Sequence, residues 1–385
     1  MKTFLIILGS FLLLGIAFLV GSFFYLKSAN KVEIVPATSS LVIQENINQE
    51  KVDSIFKYTK NFPDNTQLSF AFIDNGVVSY YGTLRKDKVL TTVKNSDAVF
   101  HIGSITKVFT STLLADFVIH NEVDLNIPIQ EYMDIPLHMI EKEGKSITLK
   151  MLSNHTSGLP RLPSGMMMSS IMNPDNPYAN YTQEKLNTYL KDKMKPKRIP
   201  GTVMEYSNLG AGLLGNILSS VSKKTYEELI QERIFSRYEM TSSTMVAEKV
   251  SEKTIDGLTP EGAIAQPWTK QTLHGAGGVL SNAEDLSKFA LANFKKDTIL
   301  DFQRIKTFEK NSKMSVSLGW HIITSKAGDE LYFHNGATGG YMSSMLLNPI
   351  NKKGVIILSN INFIHPDSKN LDKLCFTLMG MQKNI

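Results

Sequence analysis

The pattern of apolar positions divides the chain into three parts, and the first part is the most apolar. An uncharged run from Thr3 to Leu26, dense in Leu, Ile and Phe, lies between two lysines. It approaches the ~20 residues that span a bilayer and exceeds the ~7–15 apolar residues of a cleavable signal peptide. Residues 1–27 are therefore predicted to be an N-terminal membrane anchor, with a cleaved signal as the alternative.

A short polar segment follows the apolar run. Residues 28–45 are irregular in pattern and broken by proline and serine, which predicts a tether. If Lys2 stays on the inner side of the membrane, everything after Lys27 lies outside the cytoplasm. Residues 46–385 are then a domain that works in the periplasm or outside the cell, or that is secreted if the signal is cleaved.

In the third part, strand-like patterns lie at both ends and helical patterns lie between them. The spacing of apolar residues predicts an amphipathic helix over 46–62, and Asp74-Asn75-Gly76 joins two apolar runs as a hairpin. The pattern over about 110–260 is mostly helical. Strand patterns return in LYFHN, YMSSMLLNP and GVIILSN, before a helical SKNLDKLCFTLM. An α+β fold is predicted, in which an antiparallel sheet built from both ends is flanked by helices and a mostly helical region is inserted.

Composition narrows the possible functions. The chain has 385 residues, 42% of them hydrophobic, and its net charge of +5 comes from 41 basic and 36 acidic residues spread along it. The densest basic run, 191–198, has no aromatic residue, so nucleic-acid binding is not indicated. Cys375 is the single cysteine, which excludes intrachain disulfides and cysteine-rich metal sites. The histidines lack metal-binding spacing, so neither a metal nor another cofactor is expected.

The first candidate for chemistry is the stretch FHIGSITKVF, residues 100–109. Ser104 begins an apolar helical pattern, and Lys107 follows one turn later, where its amine can reach back to the serine hydroxyl. Free N–H groups at the start of a helix suit a developing oxyanion, and burial favours the neutral, basic form of a lysine. Taken alone, the same pattern also fits an ordinary helix start with serine as its cap.

Two further stretches carry candidate residues. In GTVMEYSNLG, Tyr206 and Asn208 lie two positions apart, so an extended segment points both side chains the same way; a core tyrosine beside an asparagine cap is the alternative. In YFHNGATGGY, His334 ends an apolar strand, and the glycines after it leave the strand edge open to a substrate. A glycine-rich turn beside a surface histidine is the alternative there.

The order and spacing of the three stretches resemble the serine β-lactamase and penicillin-binding protein superfamily, in its class C β-lactamase-like branch. That branch also contains D,D-carboxypeptidases, D-aminopeptidases and esterases. Its S-x-x-K motif matches Ser104 to Lys107, and its Y-x-N motif matches Tyr206 to Asn208. Its third motif, K-T-G or H-x-G, matches His334-Asn335-Gly336. The resemblance extends over roughly residues 46–380 and implies a β-lactamase/transpeptidase-like fold.

The resemblance also implies a role for each matching residue. Ser104 would be the acylated nucleophile, and Lys107 and Tyr206 would share the general-base work, with the choice between them left open. Asn208 would bind the substrate amide and position the lysine. The backbone N–H groups of Ser104 and Ala337 would form the oxyanion hole.

The third motif departs from the class C β-lactamases, which carry lysine at the place of His334. An imidazole has an unperturbed pKa near ~6.5 and is mostly neutral at pH 7, so this position resembles the esterases and aminopeptidases. His334, Asn335 and Gly336 are expected to contact the substrate. His155 is expected to fix its own loop by hydrogen bonding, and Tyr178 either lines the substrate cleft or packs within a loop.

The sequence therefore predicts an extracytoplasmic serine hydrolase that works through an acyl-enzyme on peptide or amide bonds. Cell-wall peptides that contain D-amino acids are the leading substrate class, with esters and β-lactams as side substrates. The alternatives are a true β-lactamase or esterase, or a penicillin-binding receptor that acylates without turnover. The expected partners are the small substrate and, through the N-terminal segment, a membrane.

Overall fold

A computed structural model describes residues 32–173, 176–269 and 272–381 of the chain. The membrane anchor predicted over 1–27 lies outside the described residues. Within the described ranges, no helix combines the length and the apolar character that a bilayer span requires.

A sheet of ten strands forms the centre of the described chain, and strands from both ends of the domain meet in it. The order is β1-β4-β3-β2-β14-β13-β12-β11-β10-β9. The strands are β1 (Thr38–Ser40), β2 (Gln67–Asp74), β3 (Val77–Lys86), β4 (Val89–Val93), β9 (Phe308–Asn311), β10 (Met314–Val316), β11 (His321–Thr324), β12 (Glu330–Thr338), β13 (Tyr341–Asn348) and β14 (Lys353–Ser359). Because β2 pairs with β14, the predicted sheet built from both ends is confirmed.

Two features of the sheet bear on the sequence predictions. Asn75 and Gly76 form a two-residue hairpin loop, and both have positive φ (51° and 79°), as a type I′ turn requires. Thr38–Ser40 pairs with β4 in parallel, so this part of the predicted tether belongs to the sheet, and the sheet is not wholly antiparallel. The strand escaped prediction because its side chains are exposed and polar, so no alternation of apolar residues marks it.

Short paired strands and helices complete the described fold. Strand β5 (Phe100–His101) pairs with β8 (Leu280–Ser281), and β6 (Glu141–Lys142) pairs with β7 (Lys145–Ser146). The helices are α1 (Gln49–Thr59), α2 (Thr106–Ile119), α3 (Leu149–Ser153), α4 (Ser164–Met172), α5 (Gln183–Asp192), α6 (Asn208–Ser222), α7 (Tyr226–Ile230), α8 (Ala283–Ala292), α9 (Thr298–Arg304) and α10 (Asn370–Leu378). Short 3₁₀ segments cover Gly103–Ile105, Ile129–Tyr132, Ala247–Lys253 and His274–Ala276, and Gln231–Phe235 is a π-helical turn.

The sheet separates two apolar cores. Helices α1 and α10, close to their predicted positions, pack together on one face. The other face carries the larger core, into which the inserted helical region packs. Helix α2 lies in the middle of this core, and residues 106–117 are buried on every side of the helix. A helix buried all round holds its first turn rigidly, and that turn carries the first candidate motif.

Candidate active site

The turn that carries Ser104 is fastened on both sides. It follows β5 and leads through the 3₁₀ turn Gly103–Ile105 into α2. The backbone N–H of Ile102 donates to the carbonyl of Val279 at 3.0 Å, and the hydroxyl of Ser343 donates to the carbonyl of Ile102 at 2.8 Å. Ser104 itself is half-buried and lines a cleft. The serine hydroxyl is therefore presented to this cleft from a backbone held by the sheet.

Lys107 lies directly behind the serine. Its side chain is buried, and its Nζ lies 2.9 Å from Oγ of Ser104 and 2.6 Å from the carbonyl oxygen of Ala276. The contact one helical turn apart is the one that the sequence predicts. The Ala276 carbonyl is a positioning group that the sequence analysis missed, because nothing in the local pattern tells that the turn His274–Ala276 packs on α2.

Tyr206 closes the site from the other side. Its ring centroid lies 4.9 Å from Nζ of Lys107 and 5.1 Å from Cζ of Arg161, and its phenol is hydrogen-bonded to Ser104. Burial raises the pKa of Tyr206 to about 12, and the Ser104 hydrogen bond and the Arg161 charge oppose this to a lesser degree. The phenol is consequently protonated at neutral pH.

The loop over residues 154–161 holds the second motif in place. Nδ1 of His155 accepts from the backbone N–H of Ser207 at 3.3 Å, which confirms the predicted loop-fixing role of this histidine. The carbonyl of Arg161 accepts from the N–H groups of Asn208 and Leu209 at 3.0 and 3.1 Å. The motif is not extended throughout, because Ser207 caps α6 and Asn208 is already its first residue.

Asn208 lines the cleft with an unused acceptor. Its Oδ1 is buried and accepts no hydrogen bond from the described residues. The predicted contact through which Asn208 would hold Lys107 is therefore not made at this oxygen. A buried amide oxygen without a partner is costly, and a substrate N–H in the cleft would satisfy it.

Two glycines let the strand β12 lie directly against the serine turn. A Cβ at Gly336 would lie 2.0 Å from the carbonyl oxygen of Ile102 and 2.8 Å from the backbone nitrogen of Ser104. A Cβ at Gly103, where φ is +53°, would lie 2.6 Å from the backbone nitrogen of Ala337. The backbone N–H groups of Ser104 and Ala337 are thus held close together beside the cleft, as an oxyanion hole needs.

His334 does not line the cleft as the sequence predicts, whereas Asn335 does. His334 is 1% exposed, and its Nδ1 lies 2.7 Å from the carbonyl oxygen of Asn335. The amide of Asn335 donates to Oδ2 of Asp372 in α10 at 2.6 Å. Successive residues of a strand point to opposite faces, so these two could not both face one substrate. His321 on the neighbouring strand β11 lines the cleft instead.

Three histidine rings follow one another from Tyr206. Between ring centroids, Tyr206 and His155 are 4.4 Å apart, and His155 and His321 are 6.5 Å apart. His321 and His334 are 5.3 Å apart. Burial lowers the pKa of His321 to about 4 and the pKa values of His155 and His334 well below 6.5, and Lys107, when protonated, lowers each of them further. All three imidazoles are therefore neutral at pH 7. No motif marks His321, so the sequence analysis missed it.

The cleft in front of the serine has a volume of about 540 Å³. Aromatic side chains from three loops follow one another along it, with ring centroids of Tyr178 and Trp268 5.4 Å apart and those of Trp268 and Phe363 5.9 Å apart. Tyr178 thus lines the cleft. Sequence reasoning missed Trp268, Phe363 and Arg161, which share no motif and meet only through the fold. Among the described residues that line the cleft, Arg161 is the single arginine, and none is an aspartate or a glutamate.

A possible cation site elsewhere is occupied by an arginine. Among the described residues, Asp116, His120 and Glu122 bring ligand atoms within 4.8 Å of one another. Nη1 of Arg233 lies 2.8 Å from Oδ2 of Asp116 and 2.5 Å from Oε1 of Glu122. The guanidinium neutralises both carboxylates, so this group is a structural ion-pair network.

A comparison of the chain with models of known protein families agrees with the order of the three motifs and with their meeting in one cleft. A model of the beta-lactamase family matches residues 59–374, most of the chain. The chain belongs to the beta-lactamase family. The resemblance to β-lactamases and penicillin-binding proteins seen in the motifs is thereby confirmed, together with the fold that it implies.

Individual relatives within this family are distant. Protein flp of Staphylococcus aureus strain MW2 is 25% identical over 341 residues, covering 82% of this chain and 64% of that protein. The chain thus spans slightly less than two thirds of the length of that relative. The D-alanyl-D-alanine-carboxypeptidase/endopeptidase AmpH of Escherichia coli K12 is 27% identical over 286 residues, which are 68% of this chain and 71% of AmpH.

Solved structures show the same beta-lactamase fold. A beta-lactamase/D-alanine carboxypeptidase from Pseudomonas syringae superposes with a TM-score of 0.71 at 21% identity, over 87% of this chain and 99% of that one. The octameric penicillin-binding protein homologue from Pyrococcus abyssi gives 0.70 at 24% identity, over 86% and 76%. At these identities the likeness establishes the fold, and the chemistry has to be argued from the site.

Proposed function

We propose that the protein is a serine hydrolase that works through an acyl-enzyme on Ser104. One observation carries the proposal: Nζ of Lys107 lies 2.9 Å from the Ser104 hydroxyl, which also meets the Tyr206 phenol. Two backbone N–H groups lie beside it at the edge of β12. A nucleophile, a base, an acid and an oxyanion hole are thus within reach of one substrate carbonyl.

The reaction follows from these positions. Ser104 Oγ attacks the substrate carbonyl, and its proton passes to Lys107 in the amine form. The oxyanion forms between the N–H groups of Ser104 and Ala337. The phenol of Tyr206 gives a proton to the leaving amine or alcohol and regains one from the lysine. Water then hydrolyses the ester on Ser104 by the same groups acting in reverse.

The pKa of Tyr206 favours this division of roles. With a pKa raised to about 12, the phenol is in its acid form at neutral pH and suits donation to a leaving group. The acceptance of the serine proton then falls to Lys107, whose nitrogen lies nearest to Oγ among the described basic groups. The sequence alone left this choice open.

The proposed substrates are short peptides or amides, with D-amino-acid-containing cell-wall peptides as the leading class and esters or β-lactams as side substrates. The buried Oδ1 of Asn208 supports an amide substrate, because it lacks a donor that a peptide N–H would supply. AmpH and the Pseudomonas syringae relative carry names of D-alanine carboxypeptidases, which agrees with this class. Action outside the cytoplasm is proposed from the apolar run Thr3 to Leu26.

The test is covalent labelling of the protein and of a Ser104→Ala variant. With benzylpenicillin or a 4-nitrophenyl ester, intact mass should rise by one acyl group on wild type and peptide mapping should place it on Ser104. Continued product release after one equivalent would show turnover, whereas a persistent adduct would identify a receptor. Ser251→Ala, which removes an exposed serine hydroxyl, is the control and should acylate normally. Labelling of the Ser104→Ala variant, or no labelling of wild type by either probe, would overturn the proposal.

A further inference from the structure

The geometry points to Arg161 as the specificity-determining residue of the cleft, where its guanidinium binds a carboxylate on the substrate. This inference rests on the proposed function and names a substrate class for the same site: an acyl compound that carries an anionic group and an apolar group. At the third motif, where the sequence predicts that His334 contacts the substrate, the structure buries a neutral histidine.

Arg161 is the cation that faces the described part of the cleft. Lys107 is buried and bonded to Ser104 and to a backbone carbonyl, so it does not reach a substrate anion at the mouth. His321 lines the cleft, but its pKa of about 4 makes it neutral at pH 7, and His334 is enclosed. Arg161, by contrast, is exposed, and an arginine stays charged at any working pH.

No described carboxylate competes for this guanidinium. Within the described ranges, no aspartate or glutamate lies within 4.0 Å of Arg161, and none lines the cleft. By contrast, the guanidinium groups of Arg85 and Arg233 are paired with carboxylates, those of Asp64 and Asp116 respectively. An arginine without such a partner beside an acid-free cleft leaves its planar fork of donors for a ligand carboxylate.

The backbone of Arg161 is fixed relative to the nucleophile. Its carbonyl accepts two hydrogen bonds from the first N–H groups of α6, at 3.0 and 3.1 Å. Its Cζ and the Nζ of Lys107 each lie about 5 Å from the centroid of the same Tyr206 ring, so these two atoms are at most about 10 Å apart. Oγ of Ser104 lies 2.9 Å from that nitrogen, so it is within about 13 Å of the guanidinium carbon, a distance that a short substrate can span.

The aromatic side chains complete the description of the ligand. Tyr178, Trp268 and Phe363 form a continuous apolar surface in the same cleft. Aromatic faces of this kind bind apolar or aromatic side groups. A substrate with one carboxylate and one apolar side group matches both features, and a small neutral ester matches neither well.

Kinetics on a matched pair of esters tests the inference. 4-Nitrophenyl hydrogen glutarate and 4-nitrophenyl pentanoate share a leaving group and chain length and differ in the terminal carboxylate. Loss of a charge-assisted hydrogen bond predicts that Arg161→Gln lowers the glutarate-to-pentanoate ratio of kcat/KM roughly 10- to 100-fold, mostly through KM for glutarate. Arg161→Lys should restore part of the ratio. Arg198→Gln, the same charge change on an exposed side chain outside the cleft lining, should leave it unchanged.

An unaltered ratio in Arg161→Gln would overturn the inference. If the ratio is unaltered because both esters lose activity equally, and the alkaline limb of the pH profile shifts, Arg161 acts on the ionisation of Tyr206 instead. Melting temperatures of the variants, measured alongside, show whether each variant is folded.

A binding experiment separates this inference from the proposed function. In Ser104→Ala protein, calorimetry compares N-acetyl-D-phenylalanine with its neutral N-methylamide. The free acid should bind more tightly, and adding Arg161→Gln should remove the preference. Equal affinity for the two compounds would overturn the anion site. Hydrolysis of neither ester by wild type, with the preference for the acid retained, would refute the hydrolase and leave the anion site standing.

Discussion

The two walls of the cleft work in opposite ways. The helical wall presents side chains: Ser104, Lys107 and Tyr206 meet through a hydroxyl, an amine and a phenol. The wall formed by β12 presents backbone, because Gly336 has no side chain and His334 is buried in the core. The helical wall therefore depends on functional groups at the right spacing. The strand wall depends on the lack of a side chain at Gly336, because a side chain there would push the turn with Ser104 away from β12.

The strongest test of the helical wall is the removal of the Lys107 amine. Lys107→Met keeps an unbranched side chain in the buried space and removes the proton acceptor, so acylation should slow by roughly 10²- to 10⁴-fold. Stopped-flow measurement of the acylation burst with a 4-nitrophenyl ester gives the rate. Lys150→Met, at a half-buried position of α3, controls for the loss of a lysine. A burst within a few fold of wild type would show that another group accepts the proton.

The corresponding test of the strand wall adds a single carbon. In Gly336→Ala the new Cβ would lie 2.0 Å from the carbonyl oxygen of Ile102, so the backbone has to move and the two oxyanion N–H groups separate. Loss of such a donor costs about 10²–10³ in kcat. Gly165→Ala in α4, whose Cβ would meet its nearest atom at an ordinary 3.4 Å, is the control. If Gly336→Ala retains kcat, the strand edge takes no part in stabilising the oxyanion.

The same contrast explains what the sequence could predict. The Ser104–Lys107 contact lies within one helical turn, so spacing alone indicates it, and the hairpin at Asn75-Gly76 is equally local. Arg161, Trp268 and the Ala276 carbonyl reach the site through contacts between distant segments, which no local pattern encodes. The motif resemblance places residues in a family but does not show which way their side chains point.

His334 shows this limit most clearly. The alternation of a strand permits either face, and the resemblance favoured substrate contact, yet the neighbouring His321 covers the ring. Asn335 was likewise assigned to the substrate; it lines the cleft, while its side-chain amide donates to Asp372 in α10. The direction of the His334 side chain could not be predicted because it depends on which layer packs on each face of β12, and the layers come from distant parts of the chain.

His334→Lys distinguishes the two interpretations of the third motif. A substrate-contacting lysine would raise selectivity for carboxylate substrates, because its charge would pair with the carboxylate. A lysine at this enclosed position, close to Lys107, would instead bury an unpaired charge and lower the free energy of unfolding by about 2–4 kcal/mol. Urea unfolding and the glutarate-to-pentanoate ratio are measured together, with His334→Gln as the uncharged control. A stable variant with a raised ratio would restore the original assignment.

The smallest effect is expected for His321, the side chain through which the strand wall does reach the cleft. Its pKa falls to about 4 in the folded protein from about 6.5 in an unfolded chain, so the unfolded state binds more protons between these values. The free energy of unfolding should therefore be unaffected by this group above pH 6.5 and should decrease as the pH falls from 6.5 towards 4. His155 and His334 contribute in the same direction.

The variant His321→Gln, whose side chain cannot ionise, should make this decrease in the free energy of unfolding smaller without abolishing it. Urea unfolding at pH 7.5, 5.5 and 4.5 measures the decrease. Parallel curves for wild type and variant would mean that His321 is protonated as readily in the folded cleft as in water, and that a second cation is available to substrate anions beside Arg161.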